Sequence, residues 1–522
     1  MHVPKGACAA ALRGVAATVS VALVAGTAAA CSGSPALSRA AARRVTGDGL
    51  ARSLWLPVAQ TRAPSPAVSV LAGAAPDVLT ARFARMLFAT SPVVVIAAER
   101  GTALPAAVKA ARAAHAPLLL APAVTPRLAA AVLGLRPRAV LAAGLPPAAL
   151  AARLPGVRVV SRTAGLPVTA APAPLRRVGV LVGVPVGRGR TDPEATAVTV
   201  TAESAGAAVV SVRGGDPRAD PAAIGALARL RPLDVVGVGA QFEPAIRLRS
   251  RLAVAETGRQ LPGGGQLLFP GRRLVALYGH PGTPGLGVLG QQDLTASVAR
   301  ARRMAAAYRS LSRVPVIPAF EIIATVAQAS PGADGNYSYQ SPVSSLRPWV
   351  SRATKAGMYV VLDLQPGRAS LLAQAKSYQS LLRQPDVGLA LDPEWKLQPG
   401  QKPLHQIGHV DIGEVNSVIS WLASLTARYH LPQKLLVLHQ FQLSMISGEQ
   451  DLDTSHDNLA IVIHMDGQGT PGDKLETWNA VTGTAPRAVY LGWKNFLVKD
   501  HPMFTPQQTM ANTPQPLMIS YQ

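Results

Sequence analysis

The sequence predicts an α/β protein in which two small parallel-sheet units precede a (β/α)8 barrel. Three observations carry that reading. Between residues 272 and 522, eight short apolar runs each stop at a polar or aromatic residue. Helix-like stretches separate most of these runs, as a barrel of alternating strands and helices requires. Between residues 77 and 265, continuous Val/Leu runs alternate with Ala-rich helices, the pattern of parallel strands covered on both faces.

The elements follow in chain order. Lys5 and Arg13 precede an apolar stretch from Val15 to Ala30, which ends in small residues before Cys31-Ser32-Gly33-Ser34. A basic start, a short apolar core and a small-residue cut site describe an export signal over residues 1–30, too short and too poorly flanked for a membrane span. Ala28-Ala29-Ala30-Cys31 resembles a bacterial lipobox, with Ala28 where Leu is commonest. That resemblance implies a diacylated Cys31 at the start of the mature chain, anchored to the outer face of the cell membrane. Cys8 falls in the removed segment, so Cys31 is the one mature cysteine and no internal disulfide can form. Residues 31–76, rich in Ser, Pro, Ala and Arg, read as a tether.

Residues 77–170 carry the runs Val93 to Ala97, Leu118 to Ala121, Ala139 to Ala142 and Val157 to Val160. Residues 171–265 carry Val178 to Val182, Ala208 to Val212 and Val235 to Val238. The first unit is similar to the type 2 cell-wall-binding repeat of Gram-positive surface proteins in its strand, its Ala-rich helix ending in Ala116-Pro117-Leu118-Leu119-Leu120, and its later strand closing on Ala143-Gly144. It lacks that family's Arg-Tyr pair after Arg44-Val45-Thr46-Gly47-Asp48, and Ala143 stands where the family has a glycine. The resemblance implies wall-polysaccharide binding.

The barrel runs are Leu274 to Tyr278, Val314 to Phe320, Tyr359 to Asp363, Val387 to Asp392, Leu435 to His439, Leu459 to Met465, Ala488 to Trp493 and Leu517 to Tyr521. Helical periodicity appears over Asp293 to Leu311, Ser344 to Ala356, Arg368 to Arg383, Glu414 to Tyr429 and Asp473 to Val481. The fifth and seventh connections, Gln442 to Asn458 and Asn495 to Pro516, show none, which keeps an open doubly wound sheet as the alternative. Tyr278-Gly279-His280-Pro281-Gly282, Leu362 to Arg368 and Leu391-Asp392-Pro393-Glu394-Trp395 resemble C-terminal domains of uncharacterised lipoproteins of high-GC Gram-positive bacteria, a likeness that implies no particular activity.

Charge is uneven. The net charge is +23, with 30 basic against 11 acidic residues before residue 271 and 21 against 17 from there on. The excess lies in front of the barrel as single arginines, and no nucleic-acid-binding motif accompanies it.

Side chains two apart along a strand share a face, so inward parity selects the residues at the barrel mouth. They are Tyr278 and His280 on the first strand, Glu321 on the second, Asp363 and Gln365 on the third, and Asp392 and Glu394 on the fourth. His439 follows on the fifth, His464 and Asp466 on the sixth, Trp493 or Lys494 on the seventh and Tyr521 on the eighth. Five acids converging suit acid–base cleavage of a glycosidic bond. On this reading Glu394 is the general acid, and Asp363 or Asp392 the nucleophile or base. Glu321 and Asp466 complete the candidate catalytic set. Asp363 with Asp392 or Glu394 on the neighbouring strand fits the narrow carboxyl separation of a retaining enzyme, and pairs two strands apart fit the wider inverting one. Asp392-x-Glu394 also resembles the signature of some barrel lysozymes. All nine Tyr and five of six Trp lie in the barrel. Trp395 and Trp493, at strand ends, are candidates for stacking on sugar rings, beside Tyr278, His280, Gln365, His439 and Lys494 as substrate contacts.

Three alternatives were weighed. Acids with His280, His439 and His464 could hold a metal in a phosphodiesterase-like barrel, but no His-x-His or His-Glu-x-x-His spacing occurs. Gly285 to Gly290 fits G-x-G-x-x-G yet lacks an acid about twenty residues on. It reads as a mobile loop over the mouth, and no cofactor is expected. A non-catalytic, wall-glycan-binding lipoprotein is the third.

Overall fold

The computed structural model describes residues 56–184 and 192–522. The export signal, Cys31 and the tether as far as residue 55 lie outside the described residues.

The strongest apolar runs become a closed barrel of eight parallel strands. These are β1 (Arg273–Gly279), β2 (Val316–Ala327), β3 (Tyr359–Leu364), β4 (Val387–Leu391), β5 (Lys434–Gln440), β6 (Leu459–Met465), β7 (Tyr490–Asn495) and β8 (Met518–Tyr521). Each pairs with its neighbours in sequence, and β1 pairs with both β8 and β2, which closes the ring. The open-sheet alternative is therefore excluded. Helices fill most connections, among them Leu294–Ala306, Val343–Lys355, Ile412–Arg428 and Pro471–Thr484. The fifth connection holds 3-10 turns and the two-residue strand Ile446–Ser447 but no α-helix, and the seventh holds the six-residue helix Pro506–Ala511. Both are the connections without helical period in the sequence.

Alternation along each strand divides two cores. Outward residues such as Val275, Phe320, Leu362, Leu389, Leu438 and Ile519 pack with Val298, Leu346, Val350, Val418 and Leu422 of the helices. Inward residues are mostly small or branched, including Ala276, Ala319, Val361, Ala390, Val437, Ala460 and Val462. The amino end of the barrel is stoppered by Leu261, Leu268 and Phe269 of the segment leading into β1. That plug is fixed by Gln433, whose Oε1 accepts from Leu268 N at 2.9 Å and whose N donates to Gln266 O at 2.8 Å.

Ahead of the barrel are two four-stranded parallel sheets. One has the order Leu118–Ala121, Val93–Ala98, Ala139–Ala143, Arg158–Val160. The other has the order Val68–Leu71, Asp234–Val238, Val178–Val184, Ala208–Arg213. Val68–Leu71 belongs to the segment read as tether, so that reading does not extend past residue 55: Val58 bridges to Ala170, and residues 68–71 form an edge strand paired with 235–238. The two units also share one apolar core, because helices Pro76–Leu87 and Pro193–Ser204 contribute Leu79, Phe83, Val198 and Ala202 between the sheets. Thr80 and Thr201 on those helices accept hydrogen bonds from Leu120 N (3.1 Å) and Leu118 N (3.0 Å), covering an edge strand that would otherwise present free donors.

Arg218 and Arg251 join this region to the barrel. Both contact Asp457 (3.0 and 2.9 Å) and Asp216 (2.9 and 3.2 Å).

Candidate functional site

Each of β1 to β7 ends in an inward polar side chain at the carboxyl end of the ring, where parallel barrels carry their active sites. Glu321, Asp363, His439 and His464 are fully buried, and Tyr278, Asp392, Asp466, Gln365 and Lys494 nearly so. Glu394 and Trp395 follow β4 in a single 3-10 turn and are half-buried at the rim.

One hydrogen-bonded chain and one ion-paired histidine organise the mouth. In the chain, Gln365 Nε2 donates to the Tyr278 hydroxyl (3.3 Å), which donates to Asp363 Oδ2 (2.8 Å). His439 lies between two acids: Nε2 is hydrogen-bonded to Glu321 Oε1 at 3.0 Å, while Nδ1 stands 3.2 Å from Asp466 Oδ2 in an ion-pair contact that lacks hydrogen-bond geometry. Lys494 Nζ lies 3.7 Å from Asp466 Oδ2 and 3.7 Å from the centre of the Tyr278 ring. His464 Nε2 contacts Ser520 Oγ at 3.2 Å, and its ring sits 5.1 Å from that of His439. Gly492 makes this possible, since a Cβ there would stand 2.6 Å from His464 Cδ2.

The charges divide accordingly. Burial disfavours ionised Glu321, but His439 more than offsets it and the carboxyl is held below its ordinary range. Burial likewise opposes ionised Asp466, yet contact with His439 and the nearby Lys494 bring it down to about 2. Burial works against the His439 cation, and Glu321 and Asp466 reverse that, so the imidazolium persists well above its ordinary range. Three acids go the other way. Burial, followed by the Asp466 charge, pushes Glu394 up to about 7; burial is also the main cause for Asp363, raised to about 6. Asp392 goes well above its ordinary range through burial and then Glu394 and Asp363. His464 is driven down to about 3 by burial and the His439 charge, and is neutral.

Four carboxyl oxygens from four strands have no protein partner: Glu321 Oε2, Asp363 Oδ1, Asp392 Oδ1 and Asp466 Oδ1. Trp395 Nε1 and His464 Nδ1 are equally unpartnered. Buried polar atoms are nearly always paired, so such a cluster marks a place for ligand or ordered water.

Three expected residues stand elsewhere. Trp493 faces outward, stacked on Phe504 at 5.0 Å and edge-on to Trp478 at 5.6 Å, and leaves Lys494 as the inward residue of β7. Tyr521 also faces outward, hydrogen-bonded to Tyr308 (2.5 Å), and Ser520 takes the inward position. His280 has both nitrogens engaged, with Thr283 (3.0 Å) and Ser341 (3.1 Å), and ties loops at the rim. Ser520 was missed because the eighth run was given the wrong parity; its small hydroxyl amid apolar neighbours was the available signal. The glycine loop is not the mobile lid expected. Gly287 packs on the end of β1 so closely that a Cβ would lie 2.6 Å from Tyr278 O, and residues 287–290 are buried.

Among the described residues, no group of three or more His, Cys, Asp or Glu is arranged to hold a metal ion. The chain matches no family model, no curated protein and no solved structure.

Proposed function

We propose that the chain is an exported, lipid-anchored cell-envelope protein whose C-terminal (β/α)8, TIM-like barrel hydrolyses a glycosidic bond in wall polysaccharide. The observation that carries this reading is the convergence of five inward acids at the carboxyl end of the ring, four of them with a buried oxygen left unpartnered. A hydrolase of this class needs one carboxyl protonated and another ionised at the same pH. Glu394, raised to about 7, and Asp466, lowered to about 2, meet that requirement. This moves the base from Asp363 or Asp392, both of which favour the protonated form, to Asp466.

Glu394 gives its proton to the departing glycosidic oxygen as the bond to the anomeric carbon breaks. A water attacks that carbon from the opposite face, and Asp466 Oδ1 takes the water's proton. Lys494 and His439, both against Oδ2, keep Asp466 ionised until then. The strands carrying these acids are separated only by β5. Two strand spacings, roughly 9–10 Å, suit the wider carboxyl separation of inverting hydrolysis. Purified protein incubated with wall polysaccharide should release reducing ends, and Glu394→Gln should abolish release while leaving the fold intact. Pelleting with the wall without release would favour a glycan-binding lipoprotein instead, a reading supported by the extensive internal pairing of Tyr278, Asp363 and Gln365. For the anchor, Cys31→Ser should abolish fatty-acid labelling; persistent labelling would remove it.

A further inference from the structure

The carboxyl groups in the mouth outnumber the cations. Five carboxyl groups face inward there, against the positive charge of His439 and Lys494; Lys474, farther off near Asp466, is paired with Asp500. Both cations make their closest contacts with Glu321 and Asp466. Asp363 Oδ1 reaches His439 Nε2 only at 4.0 Å, and Asp392 and Glu394 have no ion-pair partner among the described residues. Asp363 has one hydroxyl donor, from Tyr278, on Oδ2; its Oδ1, like Oδ1 of Asp392, has none. These are fully or almost fully buried groups on strands β3 and β4, aimed into the ring by strand parity.

Were Asp363, Asp392 and Glu394 ionised, the lining would carry negative charge in excess of positive; burial favours their protonated forms instead, and what the lining lacks is a cation that would let them ionise. A ligand that fits brings one. A carboxylate would meet like charge from Glu321 and Asp466 in a low-dielectric site, and an N-acetyl group brings no charge against which Asp363 and Asp392 could ionise. An ammonium supplies three donors, no acceptor and the missing charge. We propose that the sugar unit seated against Asp363 and Asp392 carries a free amine, so that the substrate class is a glycan containing unacetylated amino sugar. This rests on the glycosidase reading above. Placing a cation beside Asp363 and Asp392 favours their ionised forms, so binding releases protons.

The experiment is calorimetric titration of the full chain, as Glu394→Gln to prevent turnover, with trimers of β-1,4-linked glucosamine, N-acetylglucosamine and a uronic acid. Running it near pH 6 in two buffers of different ionisation enthalpy counts the protons released. The glucosamine trimer should bind about tenfold or more tighter than the acetylated one, the worth of one well-placed buried charge contact, with net proton release. Asp392→Asn should narrow the preference, and the proton count tests the idea in the unaltered pocket should that variant not fold. Equal or tighter binding of the acetylated trimer, or no proton release, would overturn the amine while leaving glycan hydrolysis standing. If no trimer binds and wall polysaccharide is not cleaved, the glycosidase reading falls and this inference with it.

Discussion

Replacing His439 by Gln tests the electrostatic organisation of the mouth, because stability should then depend on pH in a direction fixed by the ion pairs. In the native protein Glu321 is depressed from its ordinary 4.5 and His439 raised from its ordinary 6.5. The carboxylate contributes stability that is present above 4.5 and lost as pH falls through its folded value. The imidazolium contributes stability that is present below 6.5 and lost as pH rises through its folded value. The pair is thus worth most between about 4.5 and 6.5. In His439→Gln, Glu321 has lost its nearest cation and is folded in its neutral form. Keeping a carboxyl of ordinary value 4.5 protonated costs about 3.4 kcal/mol at pH 7 and about 0.8 kcal/mol at pH 5. The native protein has a smaller cost of the same kind. Protonating His439 from its ordinary 6.5 takes about 0.8 kcal/mol at pH 7 and almost none at pH 5. The deficit of the variant should therefore be larger at pH 7 than at pH 5 by roughly 2 kcal/mol, the difference of these two changes. Urea unfolding of the two proteins at both pH values, followed by tryptophan fluorescence, measures it. A deficit equal at the two pH values, or larger at pH 5, would refute the assignment of an imidazolium between two ionised carboxylates.

Three further outcomes are expected. Hydrolysis should fall as pH rises through about 7, where Glu394 gives up its proton, and a pH profile of kcat/KM whose alkaline limb does not lie there would remove Glu394 as the acid. Phe269→Ala should open the plug at the amino end of the barrel and cost about 3–5 kcal/mol, as deletion of a buried ring does, read as a lowered denaturation midpoint; Phe269 is 2 % exposed. Gly492→Ala should force His464 off Ser520, destabilising by about 1–3 kcal/mol through overpacking. An unchanged midpoint would show that the β7 backbone moves away freely.

The candidate site was legible in proportion to how local its signal was. Glu321, Asp363, Asp392 and Asp466 could be aimed inward from sequence because each ends or follows an apolar run and parity within one strand is local. The seventh run leaves Trp493 or Lys494 open and the eighth puts Tyr521 on the wrong face, because each run ends in two adjacent candidates. The choice is set by register with neighbouring strands, Gly492 opposite His464 and Ser520 beside Lys494. The glycine loop was misread because a run of glycines permits both mobility and close backbone approach; contact with Tyr278 O selects the second.

By itself, the sequence determined the class of the protein: eight apolar runs with intervening helices make an α/β sheet of parallel strands, whose closure into a ring only the β1–β8 pairing decided, and the uninterrupted Val/Leu runs ahead of it make buried parallel sheets. These follow from short-range periodicity, which any folded arrangement of the chain must satisfy. Tertiary structure alone decided that the two leading sheets share one core, that Val68–Leu71 leaves the presumed tether to pair with Asp234–Val238, and which acids keep their protons. Those outcomes depend on groups far apart along the chain. Burial and charge act through space, so Glu321 and Asp466 stay ionised when buried because folding brings His439 between them and Lys494 beside Asp466.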